Sequence, residues 1–345
     1  MQIAPPPSEK RSDMVKERTP GDNSPDASRR VPDDHSETIM NKQLLLKLHR
    51  WISLAFALPL LVIIVTGLIL SFEPMAQVAA VKPGSVDPAR VVALVKQYDP
   101  DGKARGISIN PTAQHLTLQG RPGTELDMTT GAVADKPVTG SVFQWARTTH
   151  ERLIGIEGLT TISTIGMMVI MIIGILMGLP RLRNTLSGWH KGAAWFTLPL
   201  ILLSPLTGLL LDPSNSFFSM TAPAPTRITL PEAVSIVAKD HDLATVNMIG
   251  TRGGRMMARI IEGDELRAYA VTADGLSALP RNWVRLLHEG NWSLIGSAAN
   301  VVISVVLLTL LITGVLIWTQ RRLRRPKRTR DAPVKPAIAS SAISS

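Results

Sequence analysis

Residues 51–72 read WISLAFALPLLVIIVTGLILSF, a run without one Asp, Glu, Lys or Arg. A helix rises about 1.5 Å per residue and the hydrocarbon core of a bilayer is about 30 Å thick, so this run is long enough to cross it. Three further runs share its character: Leu159–Leu179, Ala194–Leu211 and Ser297–Trp318. Four uncharged apolar runs exclude a soluble globular enzyme and predict an α-helical integral membrane protein with four transmembrane helices. The 45% apolar content of the 345-residue chain is concentrated in them.

The net charge of +10 does not call for nucleic acid. Residues 319–345 hold eight Lys/Arg against one acid, Asp331, so +7 of the +10 follows the last run directly. A basic cluster there reads as a cytoplasmic anchor on anionic lipid. Lys42, Lys47 and Arg50 precede the first run, and Arg181, Arg183 and Lys191 lie between the second and third. By the positive-inside rule all three groups are cytoplasmic, as are both termini. All seven Trp lie at or near run ends, as an interfacial belt requires. The first 40 residues, with six Pro and no apolar run, form no cleavable leader, and the first span is expected to serve as the uncleaved signal.

The expected order is a disordered cytoplasmic tail (1–41), transmembrane helix 1 (42–73), an outer segment (74–149), transmembrane helix 2 (150–180) and a cytoplasmic loop (181–193). Transmembrane helix 3 (194–211), a second outer segment (212–287), transmembrane helix 4 (288–320) and a basic cytoplasmic tail (321–345) complete it.

The two halves match in order. His49 and His190 stand at the start of spans one and three, His150-Glu151 and His288-Glu289 before spans two and four, at offsets of 141 and 138. Thr66-Gly67 falls 17 residues after His49, and Thr207-Gly208 falls 17 after His190. The outer segments repeat too, each with a helix start (Asp87-Pro88, Pro231-Glu232) and short strands. These are near 106–110, 115–119 and 125–128 in the first and near 246–251, 256–261 and 267–271 in the second, with Gly131 and Gly275 as turn glycines. The fold class expected is therefore four transmembrane helices in two parallel repeats, each with a small α+β insertion on the outer side.

No cysteine is present, which excludes thiolate metal sites, iron–sulfur clusters and c-type haem attachment. Four of the seven His precede spans: His49 and His190 on the inner side, His150 and His288 on the outer. Two imidazoles approaching one iron from opposite sides are what a six-coordinate b-type haem needs, and the pseudo-symmetry supplies one pair per face. A single histidine at a span end is commonly interfacial, but four at equivalent positions favour ligation. Zinc or copper would lack a third ligand unless Glu151 or Glu289 supplied it; the plainer reading of these two is a solvated first-turn charge. Gly250-Thr-Arg-Gly-Gly lacks the spacing of a nucleotide loop.

These residues carry a resemblance. K-L-H-R-W at 47–51, V-T-G-L-I-L at 65–70, H-E-R-L-I-G at 150–155, G-W-H-K at 188–191, L-L-H-E-G-N-W-S-L-I-G at 286–296 and L-I-T-G-V-L-I-W at 311–318 together resemble the PepSY-associated transmembrane helix family of bacterial inner-membrane proteins. The resemblance covers about residues 42–326. It implies PepSY-like periplasmic segments and a multi-pass protein of the inner membrane. It further implies a haem-dependent ferric-siderophore reductase acting in iron uptake, with two b haems whose axial ligands are His49, His150, His190 and His288. The fused flavin module of longer relatives is missing, so the donor would be a cytoplasmic reductase or a quinol. The acceptor would be a ferric siderophore or another periplasmic electron acceptor, and no nucleic acid is involved. Two other functions stay open: a permease for an iron chelate or small solute, and a membrane anchor whose PepSY-like segments bind a periplasmic protein.

Overall fold

The computed structural model describes residues 35–120, 124–134, 141–156, 158–179, 183–211 and 228–323. The chain divides into two units, Met1–Asn41 and Lys42–Ser345. Of the first, the described part is the opening of helix α1 (His35–Ala55). The expected N-terminal tail up to residue 34, Arg181 and the basic tail beyond Leu323 lie outside the described residues.

Proline sets where the apolar helices break. Pro59 has no N–H to offer the Ala55 carbonyl four residues back, and the chain leaves helical geometry at Phe56 (φ −95°, ψ 2°) between α1 and α2 (Ala57–Ser71). Pro74 then opens α3 (Glu73–Ala80). In the third run Pro199 acts alike, and α7 (Leu186–Phe196) and α8 (Leu198–Leu211) meet at 66°. The sequence reading places residues 194–211 in one span after a loop. The helix instead starts at Leu186, where the Thr185 side chain accepts from the Gly188 N–H at 3.1 Å, and bends once. The remaining apolar helices are α6 (Leu159–Leu176) and α11 (Leu294–Leu323).

Three stretches are long and apolar enough to cross a membrane, Ala57–Ala80, Leu159–Leu176 and Leu294–Leu323; the bent pair makes four if it counts as one span. They pack on a small core of Leu60, Ile64, Met167, Ile201, Ile303 and Leu307. Their outward faces leave Leu58, Ile162, Ile172, Leu206, Val302 and Ile312 exposed. Apolar surface of that extent is tolerable in lipid and costly in water, so the lipid bilayer is the partner of this belt.

The described parts of segments 74–149 and 212–287 build a sheet domain. Helix α4 (Pro88–Tyr98) starts at Asp87, whose side chain accepts from Ala89 N–H at 3.0 Å. Helix α9 (Leu230–Asp240) starts with a capping box of Thr229 and Glu232. The strands are β1 (Gly106–Asn110), β2 (His115–Gln119), β3 (Glu125–Asp127), β4 (Val246–Arg252), β5 (Arg255–Glu262), β6 (Glu265–Thr272) and β7 (Gly275–Ala278). All pair antiparallel, in the order β3-β2-β1-β4-β5-β6-β7.

The sequence reading expects a separate insertion in each half. The structure joins them into one seven-stranded sheet through β1 and β4, with Gly106 opposite Gly250. One core serves both: Val91, Leu94 and Val95 of α4 and Ala233, Val234 and Val237 of α9 are buried with Ile107, Leu116, Ile249 and Ile260 of the strands. Gly275, read as a turn glycine, closes the two-residue turn between β6 and β7 and is the first residue of β7. The sheet is fastened to α10 (Trp283–Glu289) and α11: Leu266 N–H donates to Asn291 O at 3.0 Å, and the Leu294 N–H to Asp264 at 3.1 Å.

Candidate functional site

Each of the four histidines is presented by a different helix. His49 is on α1, His190 on α7, His150 on α5 (Ser141–Glu151) and His288 on α10. His150 and His288 face each other with ring centroids 6.3 Å apart and planes tilted by 50°. His49 and His190 line one cavity of about 1330 Å³, together with Met167, Met171, Leu307 and Leu311. The chain thus brings His150 to His288 and His49 to His190. The two pairs sit at different depths. Asn300 donates to His288 O at 2.8 Å, and Thr313, thirteen residues on along α11, meets His190. At about 1.5 Å per residue those levels lie about 20 Å apart.

All four rings are held through the same nitrogen. His150 Nδ1 reaches Ile63 O at 3.0 Å and Thr66 Oγ1 at 3.1 Å; His288 Nδ1 reaches Ser204 O at 3.2 Å and Thr207 Oγ1 at 3.0 Å. His49 Nδ1 reaches Ile170 O at 3.1 Å, and His190 Nδ1 reaches Thr313 Oγ1 at 2.8 Å. A carbonyl oxygen only accepts, so Nδ1 carries the proton in the first three. The Thr313 hydroxyl donates to Thr309 O at 2.7 Å, which leaves it to accept from His190 as well. In every case Nε2 keeps its lone pair as a neutral imidazole, the tautomer a metal takes.

The Thr-Gly pairs explain how the rings reach these acceptors. A Cβ on Gly67 would stand 3.2 Å from His150 Cε1, and one on Gly208 3.1 Å from His288 Cε1. A Cβ at either position would press on the imidazole laid against the helix, while the threonine one residue earlier bonds it. What these glycines admit is the histidine ring.

Among the described residues no group of three or more His, Cys, Asp or Glu is placed to hold a metal ion. Glu151 closes α5 and does not stand in the first turn of a helix, but it is exposed and solvated. Glu289 is not. Its side chain is 16% exposed and accepts from Arg285 at 2.7 Å, Arg259 of β5 at 3.4 Å and Asn291 at 2.6 Å. Burial alone would raise its pKa, but Arg259, then Arg285 and Arg147, hold the carboxyl below the usual range, outside the candidate spans. Arg147 pairs with Glu73 nearby. The solvated reading fails for Glu289 because Arg259 of β5, thirty residues away in sequence, reaches it across the fold. Arg259 between apolar neighbours in a strand was the available signal of a buried partner.

Removing one member of a buried pair leaves the other without counter-charge, which costs about 3 kcal/mol. Glu289→Ala should therefore lower thermal stability in detergent by about that much, whereas Glu151→Ala should change it by less than about 0.5 kcal/mol. Equal melting temperatures for the two variants would contradict this assignment.

The fold and site define a multi-pass membrane protein carrying an antiparallel sheet domain and paired histidines. Residues 46–321 match the model of the PepSY-associated TM region, and the chain belongs to that family. No curated protein and no solved structure gives a match.

Proposed function

We propose that this protein is a transmembrane electron carrier of the bacterial inner membrane, holding two b-type haems. His49 and His190 would ligate one on the cytoplasmic side, and His150 and His288 the other on the periplasmic side. Electrons from a cytoplasmic reductase or a quinol would leave to a ferric siderophore or similar chelate. The observation that carries the reading is the arrangement of the four imidazoles, each fixed through Nδ1 with Nε2 available, two at each of two levels.

The donor set fits the group. Two imidazole nitrogens at about 2 Å from a shared iron place the ring centres about 6 Å apart, close to the separation of His150 and His288. The inner cavity is apolar and large, as a tetrapyrrole requires. Bound there, haem would supply a one-electron iron couple. The chain's own residues do the rest. The threonine hydroxyls and helix carbonyls fix the imidazole tautomer, the aliphatic core excludes water, and the sheet domain would offer a docking face to a periplasmic acceptor. The equivalent seats, Ile63, Thr66 and Gly67 for His150 and Ser204, Thr207 and Gly208 for His288, support two parallel copies of one unit.

The permease reading gains one feature, the 66° break between α7 and α8. It lacks any charged side chain within α2, α6 or α8. An absorbance spectrum separates the two. Protein purified from haem-replete cells should show a Soret band and, on reduction, b-type alpha bands at two haems per chain. A folded, colourless preparation would remove the electron-carrier reading.

A further inference from the structure

The inner cavity has a feature that ligation by His49 and His190 does not use. Six cations line it, Lys42, Arg50, Arg183, Lys191, Arg321 and Arg322, and among the described residues no Asp or Glu does. Arg50 directly follows His49, and Lys191 directly follows His190. Nε of Arg50 is buried and has no hydrogen-bond partner among the described residues. The Arg50 guanidinium also stacks at 5.7 Å from the Trp51 ring. A cation merely anchoring the chain on lipid would keep its N–H groups in water, whereas a buried donor without an acceptor is costly and marks a missing partner. At the outer pair the situation is reversed: Arg147, Arg259 and Arg285 already meet Glu73 and Glu289.

We infer that Arg50, with Lys191 of the same cavity, binds the carboxylates of an amphiphilic tetrapyrrole whose apolar body fills the cavity between His49 and His190. The inference rests on the electron-carrier reading and adds a second recognition element to it. The apolar interior takes the macrocycle, and the basic rim takes the two propionates of haem b at the polar edge. Arginine suits the task because its planar fork binds a carboxylate through two parallel N–H bonds. Haem would therefore enter in one orientation, with its acidic edge toward the end where α1 and α7 carry their cations.

The test uses full-length protein made without haem, in nanodiscs, titrated separately with haem b and with its dimethyl ester. The inner site is identified as the absorbance that His49→Ala lacks. The wild type should bind the free acid more tightly than the ester by about tenfold, the worth of one charge-assisted bond, and Arg50→Gln should erase most of that preference. Arg50→Lys should keep part of it. Equal affinity of the wild type for acid and ester overturns the inference, and does so even if Arg50→Gln fails to assemble. A preference that survives in Arg50→Gln also overturns it. If native mass spectrometry shows that Arg50→Gln instead loses a bound phosphatidylglycerol, the anion is a lipid phosphate and the inference fails. Absence of any haem at the inner site of the wild type is a different result and defeats the electron-carrier reading itself.

Discussion

His150→Ala is expected to remove one haem of two, and His288→Ala to remove the same one. His49→Ala and His190→Ala should each remove the other. The expectation follows from geometry: His150 and His288 face each other at 6.3 Å, and His49 and His190 share a cavity at the other level. A six-coordinate iron that loses one imidazole keeps a single protein bond, and no third His stands with either pair among the described residues. The pyridine haemochrome content should fall from two to one per chain, with the remaining band unshifted. Loss of the same haem in His49→Ala and His150→Ala would show the pairing to be wrong even with haem present.

Gly250→Val should be the most damaging single change in the sheet domain. A Cβ at Gly250 would lie 2.8 Å from Arg105 O and 2.8 Å from Gly106 Cα, and one at Gly106 would lie 2.6 Å from Gly250 Cα. Both obstacles are backbone, so no rotamer relieves them. The seam is short, with Gly106, Ile107 and Ser108 opposite Gly250, Ile249 and Met248, and among the described residues it is the only strand pairing that joins β1–β3 to β4–β7. Overpacking there should destabilise the domain by about 3 kcal/mol. The checking measurement is thermal unfolding of the full chain in detergent with limited proteolysis of the 74–149 segment. A variant as stable and as protease-resistant as the wild type would mean the seam does not hold the halves together.

Much of the fold was written locally. Alternation placed strands at 106–110 and 115–119, where β1 and β2 lie, and proline after an Asp cap announced α4 at Pro88. The matched order of the four histidines and the Thr-Gly pairs likewise pointed to positions the structure gathers at two levels. Three features had no local signal. The β1–β4 seam joins residues about 140 apart, and two small glycines facing each other are ordinary in either strand alone. The bend at Thr197 follows from Pro199, yet a proline near a helix start is compatible with a straight span, and hydropathy does not register it. The burial of Glu289 depends on Arg259 arriving from the sheet, which a helix-end pattern around His288 cannot reveal. The histidine seats were half legible: the Thr-Gly spacing was visible, but which histidine each pair receives depends on neighbouring helices.

The central claim is that electrons, and not a solute, cross this membrane protein from the level of His49 and His190 to that of His150 and His288. Proteoliposomes of defined orientation, with a reductant on the side of His190 and a ferric chelate on the side of His288, measure this directly. The wild type should reduce the chelate. His190→Ala should leave the outer haem oxidised, and His288→Ala should let the inner haem reduce while iron reduction stops. Labelled chelate should stay on its own side throughout. Movement of the label through the membrane, at a rate indifferent to the loss of either haem, would contradict the account and make the protein a permease.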